Sequence, residues 1–315
     1  METISLIVPC YNEHETIEAF YNEATKYMDD LHNWNIIYVN DGSKDNSIEI
    51  MKELAKKDPR VKYVGFSRNF GKEAGMYAGL EAAKKLNSDA AIIMDVDLQD
   101  PPRLLPEFIE AHNEGYNLIF ARQKDRSGQS KLGKIFSLGF YKVYAKLTGD
   151  KKMSGGARDY CLLDRKVIDA FLSVKDYERF TKGIYNYVGF KSKIITFDYE
   201  KRVAGETKWT FRKLFKYAFV GIREFSDLYL IIPKFIGILV ALLLSYDIGY
   251  QIYNVINLKD IKYFDWTHIR FDALILGVII ILYYLMKLGY QNRAQVRNRP
   301  IYILEESNIG DEESN

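Results

Sequence analysis

Of 315 residues only two are cysteine, Cys10 and Cys161, and four are histidine. Both cysteines lie in hydrophobic stretches without metal-ligand spacing, which excludes a disulfide framework and a zinc site and fits reduced cytosol. Proline and glycine are too few for a fibrous or low-complexity chain. Neither sign of charge dominates, the formal net charge being +2. The segment Glu305–Asn315 nevertheless holds five carboxylates and no base, so the remainder is basic and must face something anionic. The longest relevant uncharged runs, Phe235–Tyr246 and Ala273–Met286, have 12 and 14 residues, fewer than the roughly 20 that span a bilayer unaided. Met1–Cys10 has no basic leader and too short an apolar run for a signal peptide, so the catalytic part is expected to stay in the cytoplasm.

What is present, from Ile4 to about Tyr199, is an alternation of short β-rich runs with helical patterns. Ser5–Pro9, Ile36–Asn40, Val61–Phe66 and Ala90–Asp95 read as strands; stretches near 15–31, 46–57 and 71–85 read as helices. Buried strands joined by crossover helices predict an α/β domain with a mainly parallel, Rossmann-like sheet. Ligands of such sheets sit beyond the carboxyl ends of the strands, so the polar residues that follow each strand are the candidates for chemistry.

The strand ending at Asp95 carries Asp95-Val96-Asp97-Leu98-Gln99-Asp100-Pro101-Pro102. Residues i and i+2 of a strand face the same way, which brings two like charges together. A divalent cation relieves that repulsion, and Mg²⁺ typically takes one or two carboxylates plus phosphate oxygens, so a diphosphate site is expected here. The competing structural role, a helix N-cap before Pro101-Pro102, suits Asp100 better than Asp95 or Asp97. The first strand closes on Tyr11-Asn12-Glu13 and the second on Asn40-Asp41-Gly42-Ser43. A tyrosine can stack on a base and a carboxylate can accept the imide N–H of uracil; Asn-Asp-Gly-Ser is also an ordinary turn.

Taken in order, Val8–Glu13, Val39–Ser43, Phe66–Gly75, Asp95–Pro102, Gly156–Tyr160, Arg179–Gly183 and Arg202–Trp209 resemble the family 2 glycosyltransferases of the GT-A fold. The branch is that of the polyprenyl-phosphate glycosyltransferases, including dolichyl-phosphate mannose synthase and the bacterial GtrB-like enzymes. The resemblance implies donor binding by Pro9, Tyr11, Glu13 and Asp41, and extends through the matched segments to Asn12, Ser67, Gly71, Lys72, Asp95, Val96, Gln99 and Arg202. It implies Mg²⁺ or Mn²⁺ on Asp97 with help from Asp95 and Gln99, acceptor-phosphate contacts from Arg122 and from Lys131, Lys134 and Lys208, and Asp159 as catalytic base. Where much of the wider family has two aspartates before Gly-Ser, this chain has Asn40 and then Asp41, so Asp41 is the expected nucleotide contact. The Gln-x-x-Arg-Trp motif of processive synthases is missing, which argues against chain elongation.

A lipid phosphate acceptor has a second pKa of about 6 and is largely dianionic near neutral pH, so it is already a nucleophile. The protein then has to bring two anions together with water excluded. Asp159 would either take a proton from a monoanionic acceptor or orient a basic neighbour; a helix cap before Cys161–Asp164 is the structural alternative.

Two amphipathic basic stretches, about 130–147 and 207–227, place Phe and Leu opposite Lys and Arg as interfacial helices do. They are followed by expected transmembrane helices over 228–256 and 269–290, with Lys234 and Lys287 at helix ends, Tyr246, Tyr250, Tyr253 and Trp266 at an outer belt, and a basic cytoplasmic side. Residues 1–206 form the expected catalytic domain, and 291–315 a mobile acidic cytoplasmic tail. Asp247, an acid inside the first span, either favours helix pairing and hence a homo-oligomer or reaches outer-leaflet water beside Tyr246 and Tyr250. Basic residues cluster beside these segments rather than along a groove, which argues against nucleic acid. The reading is inverting transfer of glucose, galactose or N-acetylglucosamine from a UDP-sugar to undecaprenyl phosphate at the cytoplasmic face of the membrane. A GDP-mannose-dependent synthase and a non-catalytic nucleotide-sugar-binding scaffold are the alternatives.

Overall fold

The computed structural model describes residues 1–124, 157–176, 179–198, 266–296 and 300–310, together with residue 220 and scattered positions between 235 and 253. The chain divides into two compact units, Met1–Gly221 with Pro300–Asn315, and Ile222–Arg299.

The first unit is built on an eight-stranded sheet. Its elements run β1 (Thr3–Cys10), α1 (Ile17–Ala24), β2 (Asn33–Asn40), α2 (Ser47–Lys57), β3 (Val61–Phe66), α3 (Lys72–Lys85) and β4 (Ala90–Ile93). They continue with α4 (Leu105–Asn113), β5 (Leu118–Gln123), β6 (Ala157–Asp164), α5 (Arg165–Ser173), α6 (Thr181–Val188), β7 (Ser192–Phe197) and β8 (Leu304–Ser307). The strand order is β7-β5-β6-β4-β1-β2-β3-β8. β1 pairs in parallel with β2 and β4, β2 with β3, and β5 with β7, whereas β6 runs antiparallel to β4 and β5, and β8 antiparallel to β3. The sheet is therefore mostly parallel but mixed.

Strands covered on both faces need continuous apolar runs, and β1 obliges with Ile4, Leu6, Ile7 and Val8 fully buried. Ile4, Leu6 and Val8 pack with Phe20 of α1, Met51 of α2 and Phe108 of α4 on one face. Each such side chain is worth about 1.5–3 kcal/mol when buried. Ile7 points to the other face, where α3 comes so close that a Cβ on Gly79 would lie 2.2 Å from Ile7 Cγ2. From β1 the chain proceeds outward through β2 and β3, then returns to the other side of β1 as β4. That reversal opens a crevice between the carboxyl ends of β1 and β4.

Two sequence expectations change here. The C-terminal segment, expected to be a mobile tail, returns to the sheet as β8: its apolar Ile301–Leu304 and the paired N–H and C=O groups of β3 outweigh the acidic composition. Asp159 caps no helix, because it lies within β6; the N-cap of α5 is Asp164, whose carboxylate accepts the Lys166 N–H at 2.9 Å.

The second unit contains α7, Trp266–Val296, a 31-residue helix. Its Leu274, Val278, Ile281, Leu282, Leu285 and Met286 are exposed. Among the described residues no helix is long and apolar enough to cross a membrane. The expected span 269–290 falls within α7, while the basic stretches 130–147 and 207–227 and most of 228–256, with Asp247, lie outside the described residues.

Candidate active site

Four strand ends meet at the crevice. β1 ends in Tyr11-Asn12-Glu13, where Asn12 takes φ +53° and its backbone N–H donates to Ser43 Oγ at 2.9 Å. Asn12 Oδ1 in turn accepts the Lys44 N–H at 2.8 Å, and the Glu13 N–H donates to Ser47 Oγ at 2.9 Å. These bonds lock the end of β1 to the loop after β2. Pro9 faces α3, its Cβ lying 3.3 Å from where a Cβ of Gly75 would be.

The loop after β2 gives its neighbours Asn40 and Asp41 separate roles. Asn40 Oδ1 accepts the Ser43 N–H at 3.1 Å and so closes the turn. The Asp41 carboxylate points into a cradle of donors: Asn69 Nδ2 at 2.8 Å, the Phe70 N–H at 2.6 Å and the Gly71 N–H at 2.9 Å. The Gly71 N–H also reaches the other oxygen, Oδ1, at 3.1 Å, so the loop engages both carboxylate oxygens. Burial pushes Asp41 up to about 6, with the Phe70 and Gly71 N–H groups and the Arg68 charge pulling the other way. Gly42 has φ +62°, and a Cβ there would lie 2.3 Å from the Arg68 carbonyl carbon, so only glycine lets the two loops touch.

β4 runs into Met94-Asp95-Val96-Asp97-Leu98-Gln99-Asp100. Leu98 adopts φ +59°, a conformation costing an L-residue about 1–2 kcal/mol. It is held by two carboxylates turned back on the loop itself: Asp97 Oδ1 accepts the Gln99 N–H at 3.1 Å, and Asp100 Oδ2 accepts the Asp95 N–H at 3.3 Å. Asp100 therefore braces the loop. The helical turn Pro102–Leu104 has Pro101 at its N-cap with no side-chain cap, which corrects the capping role expected for Asp100. Val96 and Asp97 are buried, while Asp95 is partly open.

β6 contributes Asp159. Its antiparallel register, Ile93 opposite Cys161, carries Asp159 just past the end of β4 and beside Asp95. Lys72, at the start of α3, bridges them with Nζ 2.6 Å from Asp95 Oδ1 and 3.0 Å from Asp159 Oδ2. Lys182 of α6 adds a second ammonium 3.9 Å from Asp159. Burial alone lowers the Lys72 pKa, but Asp159 and Asp95 outweigh it and hold the ammonium charged, above its ordinary value. Glu73 accepts the backbone N–H of Thr181 at 3.1 Å and the Thr181 hydroxyl, fixing α6 against α3. Arg122 sits on β5 opposite Ala157, two residues before Asp159 along β6.

The structure thus gathers Pro9, Tyr11, Asn12, Glu13, Asp41, Gly71, Lys72, Asp95, Val96, Asp97, Gln99 and Asp159 at or beside one crevice of the sheet. Ser67 begins the loop that cradles Asp41, with its own N–H spent on Ile303. Lys131, Lys134, Arg202 and Lys208 lie outside the described residues. Sequence reasoning missed the bracing role of Asp100, and it assigned no role to Lys182 or to the Glu73–Thr181 contact; the quoted segment Arg179–Gly183 was the signal for the last two.

Among the described residues no group of three or more His, Cys, Asp or Glu side chains could hold a metal by itself. The carboxylates of Asp95 and Asp97 supply oxygen donors of the type a hard divalent ion takes. The ammonium already drawn to Asp95 shows that this carboxylate attracts a cation.

The profile of Glycosyl transferase family 2 matches residues 5–172. An uncharacterized glycosyltransferase, YkcC, of Bacillus subtilis is 34% identical over 310 residues, covering 96% of this chain and 93% of that protein. The prophage bactoprenol glucosyl transferase homolog of Escherichia coli is 38% identical over 240 residues, 76% of this chain and 77% of that one. The SfII prophage-derived bactoprenol glucosyl transferase of Shigella flexneri is 33% identical over 315 residues, 98% and 99% of the two chains. Glucosyl-3-phosphoglycerate synthase from Mycobacterium tuberculosis, solved with Mn²⁺, UDP and glucosyl-3-phosphoglycerate, has 17% identity and a TM-score of 0.48 over 69% of this chain and 76% of that one.

Proposed function

The chain belongs to glycosyl transferase family 2, and we propose that it moves a hexose from a UDP-sugar to undecaprenyl phosphate with inversion at the anomeric carbon. The observation that carries this reading is the Lys72 bridge between Asp95 and Asp159, set beside the Asp41 cradle at the switch point of the sheet. It supports a base-recognising role for Asp41 and a charge-balancing role for Lys72 within one crevice. The relatives named bactoprenol glucosyl transferase support the lipid phosphate as acceptor.

In this account Asp41 accepts the imide N–H of uracil and Tyr11 faces the base. Asp95, Asp97 and Gln99 would hold Mg²⁺ or Mn²⁺, which neutralises the charge of the leaving diphosphate. The acceptor phosphate oxygen forms a bond to the anomeric carbon as the bond from that carbon to the diphosphate breaks, and UDP leaves. A dianionic acceptor needs no proton removed near pH 7. Asp159 therefore acts by orienting Lys72, whose ammonium screens the two anions from each other. Arg122, with Lys131, Lys134 and Lys208, guides the acceptor phosphate.

The acceptor is a lipid, and α7 supports a membrane seat. Its exposed Leu274, Val278, Ile281, Leu282, Leu285 and Met286 form a wide apolar face that water alone would not favour. We place the catalytic unit at the cytoplasmic face of the membrane, anchored by two helices and assembled as a homo-oligomer. Release of UDP by membranes holding the full chain tests the reading. It should require added undecaprenyl phosphate, and UDP rather than GDP should compete; release indifferent to lipid phosphate would oppose it.

A further inference from the structure

We infer that Pro300–Asn308 is a strap that sets the loop Ser67–Gly71 for nucleotide-sugar binding, with Tyr302 as its positioning residue. The nucleotide part of this inference rests on the reading above; the effect on the loop does not.

Ser67–Gly71 supplies every donor in the Asp41 cradle, yet Ser67, Arg68 and Asn69 are exposed and lie past the last ladder pair of β2 with β3. Something must hold this loop at its β3 end, and the strap does so through three kinds of contact. Backbone pairing continues beyond the sheet register Val64↔Ser307, Gly65↔Glu306 and Phe66↔Leu304, as the Ser67 N–H donates to the Ile303 carbonyl at 3.2 Å. Side chains pin the far end, where Asn308 Oδ1 accepts the Tyr63 N–H at 2.8 Å and Lys52 meets Glu306 at 2.5 Å. Aromatic packing then transmits the position inward.

The Tyr302 ring stacks on Phe66 with centroids 4.7 Å apart, and its hydroxyl donates to Glu81 of α3 at 2.8 Å. Phe66 meets Phe70 edge-on at 5.8 Å, and the Phe70 N–H is the 2.6 Å donor to Asp41. Tyr302 thereby ties together β3, the start of the cradle and α3, the helix that carries Lys72. Ile301 lines the cleft formed with Arg68, Asn69, Phe70 and Glu73, so the strap also walls the space beside the loop. A segment that merely covered a sheet edge would need only the β8 pairing. The Tyr302 contacts lie outside that pairing and point at the loop.

Hydrogen exchange on the full-length protein decides the matter, comparing wild type with Tyr302→Ala and Tyr302→Phe. An aromatic pair contributes about 0.5–1.5 kcal/mol, so Tyr302→Ala should speed exchange at Phe70 and Gly71 by about 2- to 12-fold and weaken UDP binding by a similar factor. The KM for lipid acceptor should stay unchanged. Tyr302→Phe, which keeps the stack, should restore slow exchange and most of the affinity. Unchanged exchange at 67–71 in Tyr302→Ala overturns the inference, and so does protection lost equally across β1 and β4, which would mark Tyr302 as a general stabiliser. Should wild type fail to bind UDP, the donor reading falls, and exchange at the loop still decides the role of the strap.

Discussion

Lys72 Nζ lies 3.0 Å from the carboxylate of Asp159, joining the start of α3 to β6 across the mouth of the crevice. In the proposed mechanism this contact would hold a cation where the two anionic substrates approach each other. It also couples Asp159 to Asp95, because the same ammonium is 2.6 Å from Asp95.

Replacing Lys72 with Met removes the bridge and leaves two carboxylates facing each other. Loss of a preorganised electrostatic contact of this kind typically costs about 10²–10³ in kcat. Steady-state kinetics should show that loss, with circular dichroism unchanged; a kcat within a few-fold of wild type would remove Lys72 from the mechanism.

For Asp97→Asn the expectation is transfer near background at any Mg²⁺ or Mn²⁺ concentration, with the fold intact. Activity close to wild type, with its sensitivity to EDTA unaltered, would take the metal away from this loop.

Acidification should weaken donor binding before it unfolds the protein. Burial lifts Asp41 to about 6 from its ordinary 3.8, so below pH about 6 it takes up a proton and loses one acceptor site for the base. The linkage has the opposite sign for folding. A carboxyl with a raised folded-state pKa adds stability that is fully present below about 3.8 and lost as pH rises through about 6. UDP affinity measured between pH 5 and 8 should therefore fall toward the acid end, and Asp41→Asn should bind UDP weakly with a flat profile.

Gly42→Ala should lower the melting temperature and weaken UDP binding together. The added Cβ meets the Arg68 carbonyl carbon at 2.3 Å, and φ +62° costs an L-residue about 1–2 kcal/mol. Calorimetry beside UDP titration checks both; an unchanged affinity would show that the two loops need not touch.

The parts of this site written as local pattern were readable before the structure. α2 and α3 begin within a residue of their expected starts because Asn46 and Gly71 precede clear helical runs. The strand before Asp95-Val96-Asp97 was legible from its apolar run, but it stops at Ile93, and the two carboxylates belong to the turn that follows rather than to one strand face. What escaped depends on chain returning from far away. β8 pairs with a strand more than two hundred residues earlier, and its Leu304–Ser307 reads locally as the start of an acidic tail. Asp100 sits before two prolines, as a capping residue would, but its carboxylate folds back to the Asp95 N–H. Lys182 approaches Asp159 from α6, whose neighbouring Thr181 is bonded to Glu73 of α3, contacts between segments far apart in sequence.

The most direct test of the account is mass spectrometry of the lipid formed when the full-length protein, in membranes with undecaprenyl phosphate and Mg²⁺, receives an equimolar mixture of UDP-glucose, UDP-galactose and UDP-N-acetylglucosamine. The account predicts one new species, undecaprenyl phosphate carrying a single hexose or N-acetylhexosamine, forming far more slowly when Lys72→Met protein is used. No sugar-bearing lipid from any UDP-sugar, with a mannosyl lipid appearing once GDP-mannose is added, would contradict it.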